Sequence, residues 1–254
     1  MEDPDVLLKA CVNGARRPSE HPALPVTPAA LAEDVAAVVR AGADAVHLHV
    51  KDDSGLDTLA PAPTAQALEA VRAHTPGVAI GLTTGAWASS DAGARAAAIA
   101  SWTVLPDFAS VNWHETGAED VASVLLERGV GVEAGLWDEA AVDAWLASPL
   151  RDRCARVLLE LPDGLDEQQA RNQANRMIDQ LGDGGGSAST LLHGEGTSAW
   201  PLLAHAHRRG LQARIGLEDV LHLPDGRPAP DNAALVTAAV QLTEADRPRS
   251  PIVC

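Results

Sequence analysis

The stretch PAALAEDVAAVVRAGADAVHLHV, residues 28–50, decides the fold class because a helix signal and a strand signal follow one another in it. Thr27 can cap a helix that starts with a proline, and Gly42 is suited to follow its last turn. The run AVHLHV (45–50) is short, apolar and bounded by turn residues, as strands are. The stretch therefore predicts a helix near 28–41 followed by a strand.

The same alternation recurs eight times along the chain. Strands are predicted at 6–12, 45–50, 78–84, 108–113, 130–136, 156–162, 189–195 and 213–219, and helices near 28–41, 64–74, 91–102, 117–128, 138–147, 166–181, 198–209 and 231–244. Eight such units in about 250 residues are typical of a (β/α)8 barrel with parallel strands. We therefore expect an α/β protein, a TIM barrel with a single domain over residues 1–254.

A doubly wound parallel sheet is the alternative, although it usually has fewer strands at this length. The Gly-rich segment GDGGGSAS (182–189) lies between a predicted helix and a predicted strand. We therefore expect it to be a loop of the barrel and not a linker between domains.

Composition limits the partners and the compartment. The formal net charge is -16, which argues against nucleic acid or an acidic membrane as a partner. The three cysteines, Cys11, Cys154 and Cys254, form no CxxC pair and indicate a reducing compartment. The acidic start MEDPDVLLKA does not resemble a signal peptide, and no apolar run is long enough to span a membrane. We expect a cytoplasmic protein.

Polar side chains cluster at the predicted C-terminal ends of the strands, where a TIM barrel carries its active site. Polar groups in otherwise apolar strands need partners or a function, so these residues are the candidates for the site. They are Asn13, His47, His49, Thr83, Thr84, Ser110, Asn112, Glu133, Glu160, His193, Glu195, Arg214, Glu218 and Asp219.

His47 and His49 lie two positions apart on one predicted strand, so they project from the same face. Two imidazoles at this spacing can share one metal ion, and Glu218 is the best third ligand because its strand is expected two places away in the closed barrel. Packing in the core is the alternative. A second pair of this kind, His205 and His207, lies in a predicted helix, where we expect a solvated face.

The stretch RIGLED (214–219) is predicted as a strand, so Arg214, Gly216 and Glu218 are expected to share one face. Gly216 would then leave room beside the barrel centre. Arg214 suits a substrate carboxylate beside a metal, and a simple pair with Glu218 is the alternative. Asp219 follows at the end of the strand, where it can act as a general base or cap the next loop.

An ordered set of motifs resembles the family of β-keto acid cleavage enzymes, typified by 3-keto-5-aminohexanoate cleavage enzyme. The motifs are NGA (13–15), LPVTP (24–28), AGADAVHLHVKDDSG (41–55), LTTG (82–85), SVN (110–112), VEAGLWD (132–138), RIGLED (214–219) and DNAALV (231–236). The resemblance covers almost the whole chain, and its specificity lies in the order of the motifs and not in any single one.

The resemblance implies a TIM barrel that forms a homo-oligomer, a dimer or a tetramer, with a catalytic zinc ion or another divalent metal. It implies conversion of a β-keto acid and acetyl-CoA into acetoacetate and a new acyl-CoA, by a Claisen and retro-Claisen mechanism without a redox cofactor. By position, it implies the metal ligands His47, His49 and Glu218, the base Asp219 assisted by Arg214, Glu133 in the proton network, and Thr83 and Ser110 at the substrate. Asn112, Thr84 and Asn13 are further candidates for substrate binding.

Two departures bear on the substrate. Arg16 stands where the aminohexanoate-cleaving enzyme carries an acidic residue, which suggests a neutral or anionic substrate end and makes Arg16 a candidate substrate-binding residue; a surface arginine is the alternative. The loop NWHETGA (112–118) is short for the family, so recognition of the substrate and of CoA is open, as is whether His114 or Glu115 enters the pocket.

Two other functions remain possible from the sequence. A metal-dependent hydrolase of the amidohydrolase type also carries an HxH pair and a late aspartate, but that pair lies on the first strand and further histidines lie on strands five and six. A barrel that has lost turnover and serves as a binding protein is the other alternative.

Overall fold

The computed structural model describes residues 7–182 and 188–245. The strands are β1 (Leu8–Cys11), β2 (Ala45–Leu48), β3 (Ala79–Thr83), β4 (Phe108–Asn112), β5 (Gly131–Leu136), β6 (Arg156–Leu161), β7 (Ser189–Gly194) and β8 (Ala213–Ile215). The helices are α1 (Pro28–Arg40), α2 (Pro61–His74), α3 (Ala92–Ala100), α4 (Ala118–Glu127), α5 (Glu139–Ala147), α6 (Glu167–Leu181), α7 (Ala199–Arg208) and α8 (Asn232–Ala245). The predictions about the N-terminal segment 1–6, and about the Gly-rich loop over 183–187, lie outside the described residues.

The eight strands form one parallel sheet in the order β7-β6-β5-β4-β3-β2-β1-β8. Leu191 and Gln212 form a parallel bridge between the two ends, and the Gln212 backbone N–H donates to the Thr190 carbonyl at 3.1 Å. The sheet therefore closes on itself, which confirms the (β/α)8 barrel and shows that the doubly wound alternative is wrong. Over the described residues the barrel is a single domain; the bounds 1–254 stay a prediction.

All eight predicted helices are present, although α2 begins at Pro61, three residues before its predicted start, and the caps agree with the sequence. Thr27 and Asp138 each accept the backbone N–H three residues on, and Asp166 forms a full capping box with Gln169. Asp231 accepts from the Ala234 N–H at 2.8 Å. The glycines after α1, α4 and α7, at 42, 129 and 210, have positive φ, which suits their place after a helix end.

Charged residues fill the barrel interior towards the N-terminal ends of the strands. The Lys9 ammonium lies 2.6 Å from a Glu133 carboxylate oxygen with both side chains fully buried, and Arg156 pairs with the other oxygen. Lys9 and Arg156 also lie over the Phe108 ring. A Cβ at Gly81 would lie 1.9 Å from that ring, so the glycine is required. We call Lys9, Glu133 and Arg156 the basal ion cluster.

The eighth strand is shorter than predicted. It ends at Ile215, and residues 216–219 form a turn in which the Asp219 N–H donates to the Gly216 carbonyl at 2.9 Å. The prediction that Arg214, Gly216 and Glu218 share one strand face is therefore wrong. A Cβ at Gly216 would lie 2.0 Å from the Cys11 carbonyl oxygen, so this glycine allows the turn to contact β1 and does not leave room at the barrel centre.

No helix in the described parts of the chain is long and apolar enough to cross a membrane.

Candidate metal centre and active site

A cavity of about 330 Å³ opens at the C-terminal ends of the strands. Ten predicted site residues line it: Arg16, His47, His49, Thr83, Ser110, Asn112, Glu160, Glu195, Arg214 and Glu218. The other predicted site residues, Asn13, Thr84, Glu133, His193 and Asp219, do not line the cavity. The loops after the strands therefore gather most, but not all, of the candidates around one space.

Three of these residues form a group that can hold a metal ion. One ligand atom from each of His47, His49 and Glu218 lies within 4.8 Å of the others. The Nε2 atoms of His47 and His49 lie 4.0 and 3.8 Å from the two Glu218 carboxylate oxygens. An ion placed between each nitrogen and its carboxylate oxygen would lie about 2 Å from both atoms, which is a normal zinc–ligand distance.

The protonation and pairing of these atoms fit a metal. Burial and the neighbouring His49 hold the pKa of His47 well below its usual value, which keeps the imidazole neutral, as metal binding requires. The Glu218 Oε2 atom is buried and has no hydrogen-bond partner among the described residues. Such an atom costs free energy unless a ligand satisfies it. The donor set is also one that zinc prefers.

Asp57, which the sequence reasoning missed, orients His49. Its Oδ2 atom lies 2.7 Å from His49 Nδ1, which leaves Nε2 directed at Glu218. Lys51 donates to the other Asp57 oxygen at 2.5 Å and to the Gly14 carbonyl at 2.6 Å. A carboxylate behind a ligating histidine is a regular feature of metal sites, so the acidic loop after the HLH motif was the available signal.

Trp87 is a second residue that was missed. It is half exposed, its ring stacks on His49 with 5.9 Å between centroids, and its indole N–H donates to Asp57 at 2.7 Å. Its place at the cavity mouth explains why a large aromatic side chain is left in contact with solvent. Trp137 lines the cavity too and donates to the Asn112 side-chain oxygen at 3.2 Å.

Arg214 joins the metal group to a buried acidic network. Its guanidinium lies 3.0 Å from Glu218 and 2.7 Å from Asp219, so the simple Arg214–Glu218 pair is present but is part of a larger set. Asp219 is fully buried, and its second oxygen has no partner among the described residues. Burial raises the pKa of Asp219, against the lowering effect of the Arg214 cation.

His193 and Glu160 continue this network. Their Nε2 and Oε2 atoms lie 2.9 Å apart, and His193 Nδ1 lies 3.7 Å from Asp219. Burial lowers the pKa of His193 and raises that of Glu160. His193 is therefore packed inside the barrel and does not line the mouth, whereas Glu160 faces the cavity.

Glu195 lines the cavity as the sequence suggested. Burial and the Asp219 carboxylate raise the pKa of Glu195 to about 7.

Glu133 belongs to the basal ion cluster and not to the cavity lining. Burial alone would raise the pKa of Glu133, but Lys9 and Arg156 outweigh it and hold the pKa below its usual value. The carboxylate is thus charged and paired on both oxygens, and its implied place in the proton network stays a prediction.

Asn13 and Thr84 make backbone contacts. The Asn13 amide donates to the carbonyls of Pro25 and His49, and Thr84 donates to the Ser110 carbonyl at 2.7 Å. Neither side chain lines the cavity, so their predicted substrate contacts find no support in this geometry.

Arg16 reaches the cavity but is already paired. It donates to the Leu217 carbonyl at 2.5 Å and to Glu20 at 3.1 Å. In the shortened loop after β4, Glu115 accepts from Asn112 and pairs with Arg95 at 3.4 Å, and His114 is exposed. Neither loop residue lines the cavity.

The other HxH pair behaves differently from His47 and His49. His205 is half-buried on α7 and lies 2.9 Å from the Asn175 side-chain oxygen, so the expected solvated face is only partly correct. No further histidine or cysteine in the described parts of the chain joins a metal-binding group.

Comparison with known proteins agrees with this geometry. Residues 5–249 match the profile described as beta-keto acid cleavage enzyme. The chain belongs to this family. A 3-keto-5-aminohexanoate cleavage enzyme of Fusobacterium nucleatum subsp. nucleatum is 23% identical over 94% of this chain and 91% of its own length. A 3-oxoadipate:acetyl-CoA acetyltransferase of Cupriavidus necator is 33% identical over 44% of this chain and 38% of its own.

Among solved structures, a ternary complex of ObcA with a C4-CoA adduct and oxalate superposes with a TM-score of 0.74 at 20% identity. The match covers 88% of this chain but only 64% of the ObcA chain. This likeness supports the barrel fold. Membership in the β-keto acid cleavage enzyme family also excludes the amidohydrolase-type alternative, since the HLH pair here lies on β2 and in the loop that follows it.

Proposed function

We propose that this protein is a zinc-dependent acyltransferase that cleaves a β-keto acid with acetyl-CoA, producing acetoacetate and a new acyl-CoA. The observation that carries the proposal is the group of His47, His49 and Glu218, which opens on a cavity in a chain of the β-keto acid cleavage enzyme family. The relatives named above act on β-keto acids or on acetyl-CoA, which supports the same substrate class here.

The metal group supplies Lewis-acid polarisation of the substrate ketone when zinc is bound. His47 and His49 offer imidazole nitrogens and Glu218 offers a carboxylate oxygen, and Asp57 holds the His49 ring in the required orientation. Because these side chains belong to the ends of β2 and to the turn after β8, the barrel itself brings them together.

Asp219 is the proposed base. It would remove the proton from the carbon between the ketone and the carboxylate, so that the resulting carbanion can attack the acetyl thioester and displace CoA as its thiolate. The thiolate would then attack the original ketone carbon, and cleavage of the bond to the acetylated carbon would give the new acyl-CoA and the acetoacetate carbanion, which takes the proton back from Asp219. Arg214 holds one Asp219 oxygen at 2.7 Å and leaves the other without a partner, free to accept a proton. Arg214 also lines the cavity, where its charge would stabilise oxyanions as they develop.

Cavity residues without a place in the metal group would position the substrate. Thr83, Ser110 and Asn112 present hydroxyl and amide groups from the ends of β3 and β4, and Arg16 lines the cavity from the loop after β1. Arg16 is paired with Glu20, which favours a neutral over an anionic substrate end. Profiling Arg16→Glu against neutral and cationic β-keto acids tests this role, and an unchanged profile contradicts it.

We also propose a cytoplasmic homo-oligomer, a dimer or a tetramer, whose partners are a small β-keto acid and acyl-CoA. The net charge of -16 is unsuited to binding nucleic acid or an acidic membrane surface.

The test starts with the metal content of purified wild type, His49→Ala and His205→Ala. We expect about one ion per chain in the wild type and in His205→Ala, and near zero in His49→Ala, because only His49 belongs to a complete ligand set. His205→Ala is the matched control, since it removes a histidine from the other HxH pair.

The second measurement is acyl-CoA formation from a panel of β-keto acids with acetyl-CoA. CoA-dependent turnover in the wild type and its loss in His49→Ala support the proposal. Metal binding without turnover of any member would favour a binding protein, and a metal-free wild type after zinc is supplied would overturn the metal centre.

A further inference from the structure

Asn13 is fully buried at the end of β1, beside the ligand His49. Its side-chain oxygen accepts the His49 backbone N–H at 2.8 Å, and its amide nitrogen donates to the His49 carbonyl at 2.8 Å and to the Pro25 carbonyl at 2.9 Å. The amide thus binds both backbone groups of His49, and all of its donors and its acceptor atom are used.

Asn232, at the start of α8, has the same relation to the segment that carries Glu218. It is fully buried, and its side-chain oxygen accepts the Leu217 N–H at 2.7 Å. Its amide nitrogen donates to the Val12 carbonyl and to Asp34, each at 2.8 Å. Leu217 directly precedes Glu218, so the Asn232 amide holds the backbone next to Glu218, as the Asn13 amide holds the backbone of His49.

The end of β1 connects the two asparagines. The Val12 N–H donates to the His47 carbonyl at 3.1 Å, and the Glu218 N–H donates to the Cys11 carbonyl at 3.2 Å. A Cβ at Gly14 would lie 2.5 Å from the Glu218 side chain, so the chain passes directly behind the ligand. Residues 11–14 therefore lie between the segment that carries His47 and His49 and the segment that carries Glu218.

We propose that Asn13 and Asn232 form an amide frame, a pair of positioning residues that sets the distance between the histidine and glutamate ligands. This inference rests on the proposed metal centre. Backbone bonds hold these segments only in part, because β2 ends at Leu48 and β8 ends at Ile215, before His49 and Glu218, and the Glu218 N–H bond to Cys11 is a single bond beyond the end of β8. The two side-chain amides add bonds to the backbone of His49 and of Leu217, just beyond the ends of the two strands.

Fully satisfied buried amides are suited to this task. Each accepts one N–H and donates two N–H bonds, so neither can rotate without leaving a buried polar group unpaired. The orientation of Asn232 is further determined by Asp34, whose Oδ2 atom accepts from the amide nitrogen. The frame therefore constrains the ligand segments without touching the metal.

The test measures zinc affinity of the metal-free full-length chain by competition with a chromogenic chelator. The variants are Asn13→Ala and Asn232→Ala, and Ser198→Ala is the matched control. Ser198 is also fully buried at this end of the barrel and donates to the Pro162 carbonyl at 2.9 Å, but it joins loops that carry no ligand.

We expect each asparagine variant to bind zinc at least about tenfold more weakly than the wild type, as is usual for outer partners of metal ligands, and the control to keep wild-type affinity. The absorption spectrum of the cobalt(II)-loaded protein should shift in both asparagine variants and not in Ser198→Ala, because it reports ligand geometry. A merely structural role would lower the melting temperature without moving the spectrum.

A double-mutant cycle sharpens the result. In a Glu218→Ala background, Asn232→Ala should have no further effect on the residual zinc affinity, whereas Asn13→Ala should keep its effect. Should Asn232→Ala fail to fold, Asp34→Ala removes one of its partners and should weaken zinc binding in the same direction by less.

Wild-type zinc affinity in folded asparagine variants, or an Asn232→Ala effect that persists without Glu218, overturns the amide frame while leaving the metal centre intact. A wild type that binds no zinc overturns both.

Discussion

The two ends of the barrel interior both hold buried charges, but they satisfy them differently. In the basal ion cluster, Lys9 and Glu133 are 2.6 Å apart and Arg156 satisfies the remaining carboxylate oxygen. At the other end, buried atoms lack a hydrogen-bond partner among the described residues; they are His47 Nδ1, His193 Nδ1, Arg214 Nε, Glu218 Oε2 and Asp219 Oδ2.

The difference separates stability from function. Unpaired buried polar groups cost about 1–3 kcal/mol each, and five of the nine such atoms in the described residues lie at the cavity end, where a ligand or a reaction can use them. In the basal ion cluster both Glu133 oxygens are already paired, and none of its three residues lines the cavity. The cluster and the cavity end should therefore respond to mutation in different observables.

The largest expected effect is on stability at the basal ion cluster. Glu133→Gln leaves the fully buried Lys9 ammonium without its carboxylate, which should lower the free energy of unfolding by about 3–5 kcal/mol. Denaturant unfolding measures this, and zinc bound per folded chain should not change.

Glu139→Gln is the control for this prediction, since it breaks an exposed ion pair with Arg176 and should cost less than about 1 kcal/mol. Wild-type unfolding of Glu133→Gln together with lost turnover would contradict the comparison and place Glu133 in the reaction.

A smaller effect is expected at the cavity end, on metal affinity and not on the fold. Asp57→Asn removes the carboxylate behind His49 Nδ1 and should weaken zinc binding about 10–100-fold, because His49 loses both orientation and basicity. Chelator competition measures the affinity.

Asp52→Asn is the control for this position, because Asp52 lies in the same loop but accepts only the backbone N–H groups of Ser54 and Leu56. Equal zinc affinities for Asp57→Asn and Asp52→Asn would show that Asp57 does not support the ligand.

The smallest effect concerns pH. Burial raises the pKa of Asp34 to about 7 despite the hydrogen bond from Asn232. Since the unfolded carboxyl titrates near 3.8, the folded state binds more protons between these values, and stability falls as pH rises towards 7. Asp34→Asn should remove roughly 1–2 kcal/mol of this decline between about pH 5 and 7, because the group is partly solvated.

Melting temperatures across this pH range provide the measurement. Parallel curves for the wild type and Asp34→Asn would contradict the pKa shift.

Local patterns were sufficient for the elements and for most of the metal group. The caps at Thr27 and Asp166 are local, and the two-residue spacing of His47 and His49 places them together whatever surrounds them. The order of strands in a barrel brings β8 within two places of β2, which is why Glu218 was found from sequence.

Other features depended on contacts that no spacing encodes. The alternation of side chains along a strand was assumed to continue through residues 216–219. The chain turns there instead, and Gly216 allows the turn because its backbone lies close to the Cys11 carbonyl. Asn13 has the polarity of a substrate-binding residue, but its amide is used by His49 and Pro25. Trp87 reaches Asp57 across thirty positions of sequence, so its place over His49 depends on how two loops meet.

The sequence by itself determined the alternation of helices and strands, the barrel and the grouping of the HLH and GLED motifs at a candidate metal site, because these follow from periodicity, capping and the order of strands. Only the tertiary structure decided which polar residues face the cavity and which are used within the protein. The physical reason is that a buried donor or acceptor is defined by its partner, and the partners of Asn13, Asn232 and Glu133 are up to 220 positions away.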